Sequence, residues 1–240
     1  MAVEYKATDL PGKSLYTTPF NVQIRSITPL EQKYILSLSQ KEQKTNKEYV
    51  DFIKKLVVID NPSVQFEDLY WFDVQYLLYK IRYLTYAKYP IRLSFKCPDC
   101  GQMITQELDI GKMQIDEPEN TTSTIILDNL GEMPIRNKVM GDDLKIENFM
   151  DKLKLDKEDF QVRLLLLDLC LISANKTLPE LYALADRGDI TASDIVAIEN
   201  WFISNVWGVK EEVMVKCPNC GKEASRGYSL SIEDFFSVVY

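Results

Sequence analysis

The sequence has no histidine in 240 residues. That absence removes the Ser–His and Cys–His nucleophilic pairs, the mixed His/Cys metal sites and the commonest general base. Glycine is scarce, nine in all, and none falls in a Gly-rich loop of the kind that cradles phosphates. Long apolar runs are missing as well. The most hydrophobic stretch, 162–172, is broken by Arg163 and Asp168, far short of the roughly 20 residues that cross a bilayer. No apolar targeting segment stands at residues 1–6, so the expectation is a chain made and folded in cytoplasm, away from membranes. Positive charge is the minority: 28 Lys and Arg against 36 Asp and Glu give a net charge of −8. With no basic cluster interleaved with aromatics, this balance argues against nucleic acid as a partner. Asp, Glu, Lys and Tyr can still catalyse, but no constellation of them stands out. The expectation is a protein that is not an enzyme and takes no small-molecule substrate.

What the sequence does have is a repeated pentapeptide. Four of its five cysteines lie in Cys97-Pro98-Asp99-Cys100-Gly101 and Cys217-Pro218-Asn219-Cys220-Gly221. Two residues between the cysteines let both thiolates of one tight turn reach the same metal ion, and the glycine after each pair tolerates a positive φ. Strand-like runs flank both turns, at 91–96 and 103–110 and again at 213–216 and 224–230. Each motif therefore reads as a β-hairpin tipped by half a metal site. Together Cys97, Cys100, Cys217 and Cys220 predict one tetrahedral zinc, structural rather than catalytic. Disulfides within each pair are the competing reading, disfavoured in a reducing compartment. The stretch between Cys100 and Cys217 is long enough to be a folded segment that the metal closes into a loop.

The fold class read from the pattern is α+β: two mainly helical halves, each ending in a hairpin zinc knuckle, the knuckles joined in one zinc-ribbon-like site. Residues 1–27 form an extended arm with an alternating strand at 21–27. Residues 28–118 form a helical half with the first zinc hairpin. Thr28-Pro29-Leu30-Glu31 starts it as a capping box with Pro at the first helical position; Leu30, Tyr34, Ile35 and Leu38 make one face. After a polar break at 41–47, a second helix runs through Leu56 and Val57, and a long helix from Asp73 turns Val74, Leu77, Leu78, Ile81 and Leu84 to one side. Residues 119–140 form a β-hairpin connector with strands at 122–128 and 134–139. Residues 141–240 form the second helical half. Its helices start at Asp142, after a cap at Asp156, at Leu178 and at Thr191, the last with Ile195, Ile198, Trp201, Phe202 and Val206 inward. The second hairpin and an apolar tail close the chain. Cys170 reads as a small buried hydrophobe.

Beside the apolar face of the long helix runs a tyrosine stripe, Tyr76, Tyr79, Tyr83 and Tyr86. It reads either as core and core rim or as a protein interface, where tyrosine combines apolar area with a polar tip. The partner surface expected on the second reading comprises Tyr76, Tyr79 and Tyr83, with Phe235 and Phe236 of the tail.

Taken in order, several features resemble the baseplate hub proteins of large contractile-tailed bacteriophages. These are the turn Leu10-Pro11-Gly12-Lys13-Ser14, Tyr16, the strand Ile24-Arg25-Ser26-Ile27-Thr28 followed by Glu31, the helix ending Arg82, Thr85, Tyr86, the two Cys-Pro-x-Cys turns, and Phe235-Phe236. Gly12 and Ser14 are swapped relative to the family's usual turn, and Ser26 and Ala87 replace its proline and glycine. The resemblance implies a structural, non-catalytic virion component of the tail, bound to other hub, wedge or tail proteins. An assembly factor that leaves the finished particle and a cytoplasmic zinc-ribbon binding module are the alternatives.

Overall fold

The computed structural model describes residues 4–38, 46–119, 123–156, 159–172 and 176–237. Among the sequence expectations, most of the polar break at 41–47, residue 122 at the head of a strand, and the last three residues of the tail lie outside them.

β1 (Lys6–Thr8) pairs antiparallel with β2 (Val22–Ile24). Val22 and Ile24 point into the core and Gln23 points out, as the pleat dictates. Helix α1 (Pro29–Leu38) begins where the sequence places it. The Thr28 N–H donates to Glu31 Oε2 at 2.8 Å and the Glu31 N–H to Thr28 Oγ1 at 3.3 Å, a reciprocal capping box. α2 (Asn46–Lys54) stops before the β-branched run Val57-Val58-Ile59, which forms β3 (Val57–Ile59) on the free edge of β2. The expected continuation of that helix through Leu56 and Val57 is therefore corrected to a turn at Leu56 and a strand from Val57.

The central element is α3 (Trp71–Tyr86), with Val74, Leu77 and Ile81 fully buried. After it come β4 (Ile91–Lys96), paired antiparallel with β5 (Met103–Leu108), and the short β6 (Ile115–Asp116). β7 (Thr124–Leu127) pairs with β8 (Gly131–Pro134). The strand expected at 134–139 is corrected to β8, which starts at Gly131 (φ +71°), where the tight turn closes, and ends at Pro134. Four helices follow: α4 (Met140–Leu153), α5 (Phe160–Leu171), α6 (Leu178–Asp186) and α7 (Ala192–Ser204). The cap of α5 is Asp159, not Asp156; its carboxylate accepts from the Gln161 and Val162 N–H groups at 3.1 Å. β9 (Gly208–Val209) pairs with β6, β10 (Glu212–Lys216) pairs antiparallel with β11 (Glu223–Gly227), and the short α8 (Ile232–Phe236) closes the described chain.

The largest core gathers around α3 and draws on both ends of the chain. Leu10, Phe20, Ile24 and Ile27 from the N-terminal segment and Phe235 and Phe236 from α8 all lie in it. A second core joins β7 and β8 to α5, α6 and α7, and a third lies between α4 and α5. The N-terminal segment read as an arm is thus part of the main core. The tail from the second half packs in the first half's core, against α1 and α3. Single positions were over-assigned to the interior: Leu30 is 79% exposed and Val206 57%.

Candidate metal centre

The two Cys-Pro-x-Cys turns link β4 to β5 and β10 to β11, and the backbone closes both in the same way. The Cys97 N–H donates to Gln102 O at 2.8 Å and the Gly101 N–H to Cys97 O at 3.0 Å; the matching bonds at Cys217 and Gly221 are 2.8 and 2.9 Å. Gly101 and Gly221 sit at φ +75° and +73°, the left-handed region where a Cβ would strain the turn. Beneath the turns Ile104 and Val215 join Cys97 and Cys217 in a small apolar cluster, so one sulfur of each pair is buried and the other faces out. Lys222 Nζ lies 3.6 Å from Asp99 Oδ2, a charge contact between the two turns.

The four Sγ atoms all lie within 4.8 Å of one another. Cys97 to Cys220 measures 3.7 Å and Cys100 to Cys217 3.6 Å. A tetrahedron with metal–sulfur bonds of about 2.3 Å has edges of about 3.8 Å. These sulfurs are therefore spaced to share one ion. A set of four thiolates selects soft, tetrahedral metals. Without a cation four sulfurs cannot all be charged side by side, and the thiols respond unequally. The Gln102 N–H, followed by Asn219, draws Cys100 down to about 6. Cys220 is pushed up to about 12: the lowering effect of the Lys222 N–H is outweighed by desolvation and the neighbouring sulfurs.

The expected partner residues fall on different sides of the surface. Tyr76 and Tyr79 are buried, and the Tyr79 hydroxyl donates to Glu211 Oε1 at 2.7 Å. Phe235 packs edge-on against Tyr79 at 4.7 Å and Phe236 against Phe52 at 5.5 Å. Because α8 folds back onto α3, Tyr79, Phe235 and Phe236 are covered, and Tyr76 is buried as well, which corrects the reading of these four as partner residues. Tyr83, 46% exposed, remains outside, and with Tyr89 it lines a cleft of about 430 Å³ rimmed by Glu107 and Asp109.

Composition and spacing gave no hint of two polar anchors in the main core. Asp73, fully buried, accepts from the Gly12 N–H at 2.8 Å and the Tyr16 hydroxyl at 2.7 Å; that hydroxyl in turn accepts from the Tyr70 N–H. A Cβ on Gly12 would stand 2.1 Å from the Trp207 ring, so only glycine fits. Burial raises Asp73 to about 6 although both hydrogen bonds oppose it. Arg82 is buried as well. It donates to the carbonyls of Phe235 at 2.6 Å, Ser237 at 2.8 Å and Tyr89 at 3.1 Å, closing the end of α8. Nearby, the Thr85 hydroxyl accepts from the Ile27 N–H. Gly12, Tyr16, Arg82 and Thr85 are among the residues that carry the sequence resemblance. Their work here is to fasten the two ends of the chain to α3.

The family model described as T4 bacteriophage base plate protein matches residues 2–237. The chain belongs to this family of phage baseplate proteins. Neither the curated proteins nor the solved structures contain a match. Among the described residues no helix is long and apolar enough to cross a membrane.

Proposed function

We propose that the chain is a non-catalytic structural component of the tail baseplate, seated in the hub region, stapled by one zinc and working by binding other tail proteins. The observation that carries this reading is the family match over nearly the whole chain. The zinc rests on the sulfur spacing, which suits a closed four-cysteine site on two hairpin knuckles. A structural ion there would close the loop from Cys100 to Cys217. Because the four ligands meet only in the folded chain, the binding free energy of the ion adds to the stability of the fold. Tyr83, exposed beside an acidic-rimmed cleft, is the tyrosine we assign to a partner surface. The test is the composition of purified mature particles. A resident hub subunit is present at a small fixed copy number with one zinc per chain. Its absence from particles that cannot form without it would make it an assembly factor, and normal particles formed without it would overturn the reading.

A further inference from the structure

A cleft of about 550 Å³ lies far from the sulfur cluster in sequence, among α4, α5 and α6. Its floor is apolar, built from side chains such as Phe149, Leu169 and Leu181. Its charged lining runs against the rest of the molecule: four cations to one carboxylate, in a chain of net charge −8. Asp142 is that carboxylate, and it is already satisfied. Arg136 grips it through two bonds of 2.8 and 2.7 Å, and Lys145 reaches it at 3.2 Å. Lys152 and Lys176 are exposed at the rim, and neither makes an ion pair among the described residues. Glu180 on α6 accepts the N–H and hydroxyl of Thr177 on one carboxylate oxygen, at 2.6 and 2.8 Å, and feels the charge of Lys176 without forming an ion pair with it. An apolar floor under two exposed ammonium groups is complementary to an anion with a hydrophobic neighbour.

We propose that this cleft takes an acidic segment of a partner protein, a bulky apolar side chain resting on the floor and an adjacent carboxylate meeting Lys152 and Lys176. The choice of a protein segment over a small amphiphile rests on the baseplate reading, in which neighbouring tail proteins surround the chain. The purified full chain tests the cleft by itself, so failure here leaves the particle experiment untouched. Two fluorescein-labelled peptides of equal length are titrated by anisotropy, one with glutamates flanking a Leu-Phe pair, the other with lysines in their place. The glutamate peptide binds saturably, weakens as salt rises, and weakens at least tenfold in the double variant Lys152→Gln, Lys176→Gln. It is unaffected by Lys33→Gln with Lys88→Gln, an exposed control pair, and unchanged melting temperatures verify both folds. No binding, equal binding of the lysine peptide, or indifference to the first variant would overturn the proposal. Saturable binding of laurate with none of the glutamate peptide would also overturn it and assign the cleft to a small amphiphilic anion.

Discussion

Asp73 is a carboxylate with no exposed surface, and the turn at Gly12, Tyr16 and α3 all meet on it. Its pKa in the fold, about 6, stands above the ordinary 3.8 because burial disfavours the charge. Between those values the folded chain keeps a proton that the unfolded chain has released. The stability this proton contributes is complete below the lower value and is lost as pH rises through the upper one. A shift of two units corresponds to on the order of 3 kcal/mol. Asp73→Asn cannot accept from both Gly12 and Tyr16, and leaving one buried donor unmet costs about 1–3 kcal/mol. The variant should melt below the parent, with the gap widest near pH 4 and narrowing towards pH 7; thermal melts across that range measure it. A gap independent of pH would show that Asp73 is ionised throughout. The sulfur cluster offers a second test at the same scale. The protein should bind one zinc, and Cys97→Ser, which removes a buried ligand, should lose most of it on dialysis against chelator and melt several degrees lower. Zinc-free protein with four freely reactive thiols would contradict the proposed ion.

Among the elements, α8 departs furthest from expectation. Arg82→Lys keeps the charge but cannot span the carbonyls of Phe235, Ser237 and Tyr89, so α8 should loosen: its amides exchange faster and stability falls by about 2 kcal/mol. Phe236→Ala should cost about 3–5 kcal/mol, as for any large buried aromatic. Tyr83→Ala should spare the melting temperature and weaken association with tail proteins instead, since its ring is half outside. If Tyr83→Ala unfolds the chain and no binding is lost, the stripe is core alone. These contrasts also mark what could be read in advance. Helix starts were legible where a cap and periodicity agreed, as at Thr28 and Thr191, because capping is local chemistry. The four cysteines were legible because their spacing is itself the geometry of a turn. Burial of Tyr79 and Phe235 was not, because it depends on α8 crossing back over α3, a contact between residues more than 150 positions apart. Likewise Gly12 and Asp73 are 61 positions apart, and no periodicity links them.

At the scale of the whole molecule the question is what the metal holds. Read from sequence, the ion closes the segment between Cys100 and Cys217 into a loop and joins the two knuckle-bearing halves. The fold contains other connections. β6 pairs with β9 through Ile115 and Val209, Tyr79 on α3 bonds Glu211 just before β10, and Arg82 grips the end of α8. Phe235 and Phe236 are buried in the core around α3, which includes none of the four cysteines. By contrast, β4–β5 and β10–β11 are two-stranded pairs, and a lone hairpin is marginal in water. Their shared support at the tips is the small cluster of Ile104 and Val215 beneath the sulfurs. Chelation should therefore act locally. Hydrogen exchange should rise across β4, β5, β10 and β11, while α3 and the helices of the second core keep their protection and the chain stays monodisperse. The melting temperature should fall without loss of helical circular dichroism at 25 °C. If chelator instead unfolds α3 together with the strands in one cooperative step, the interlocked ends are too weak to hold the fold. The ion would then be the latch between halves that the cysteine spacing first suggests.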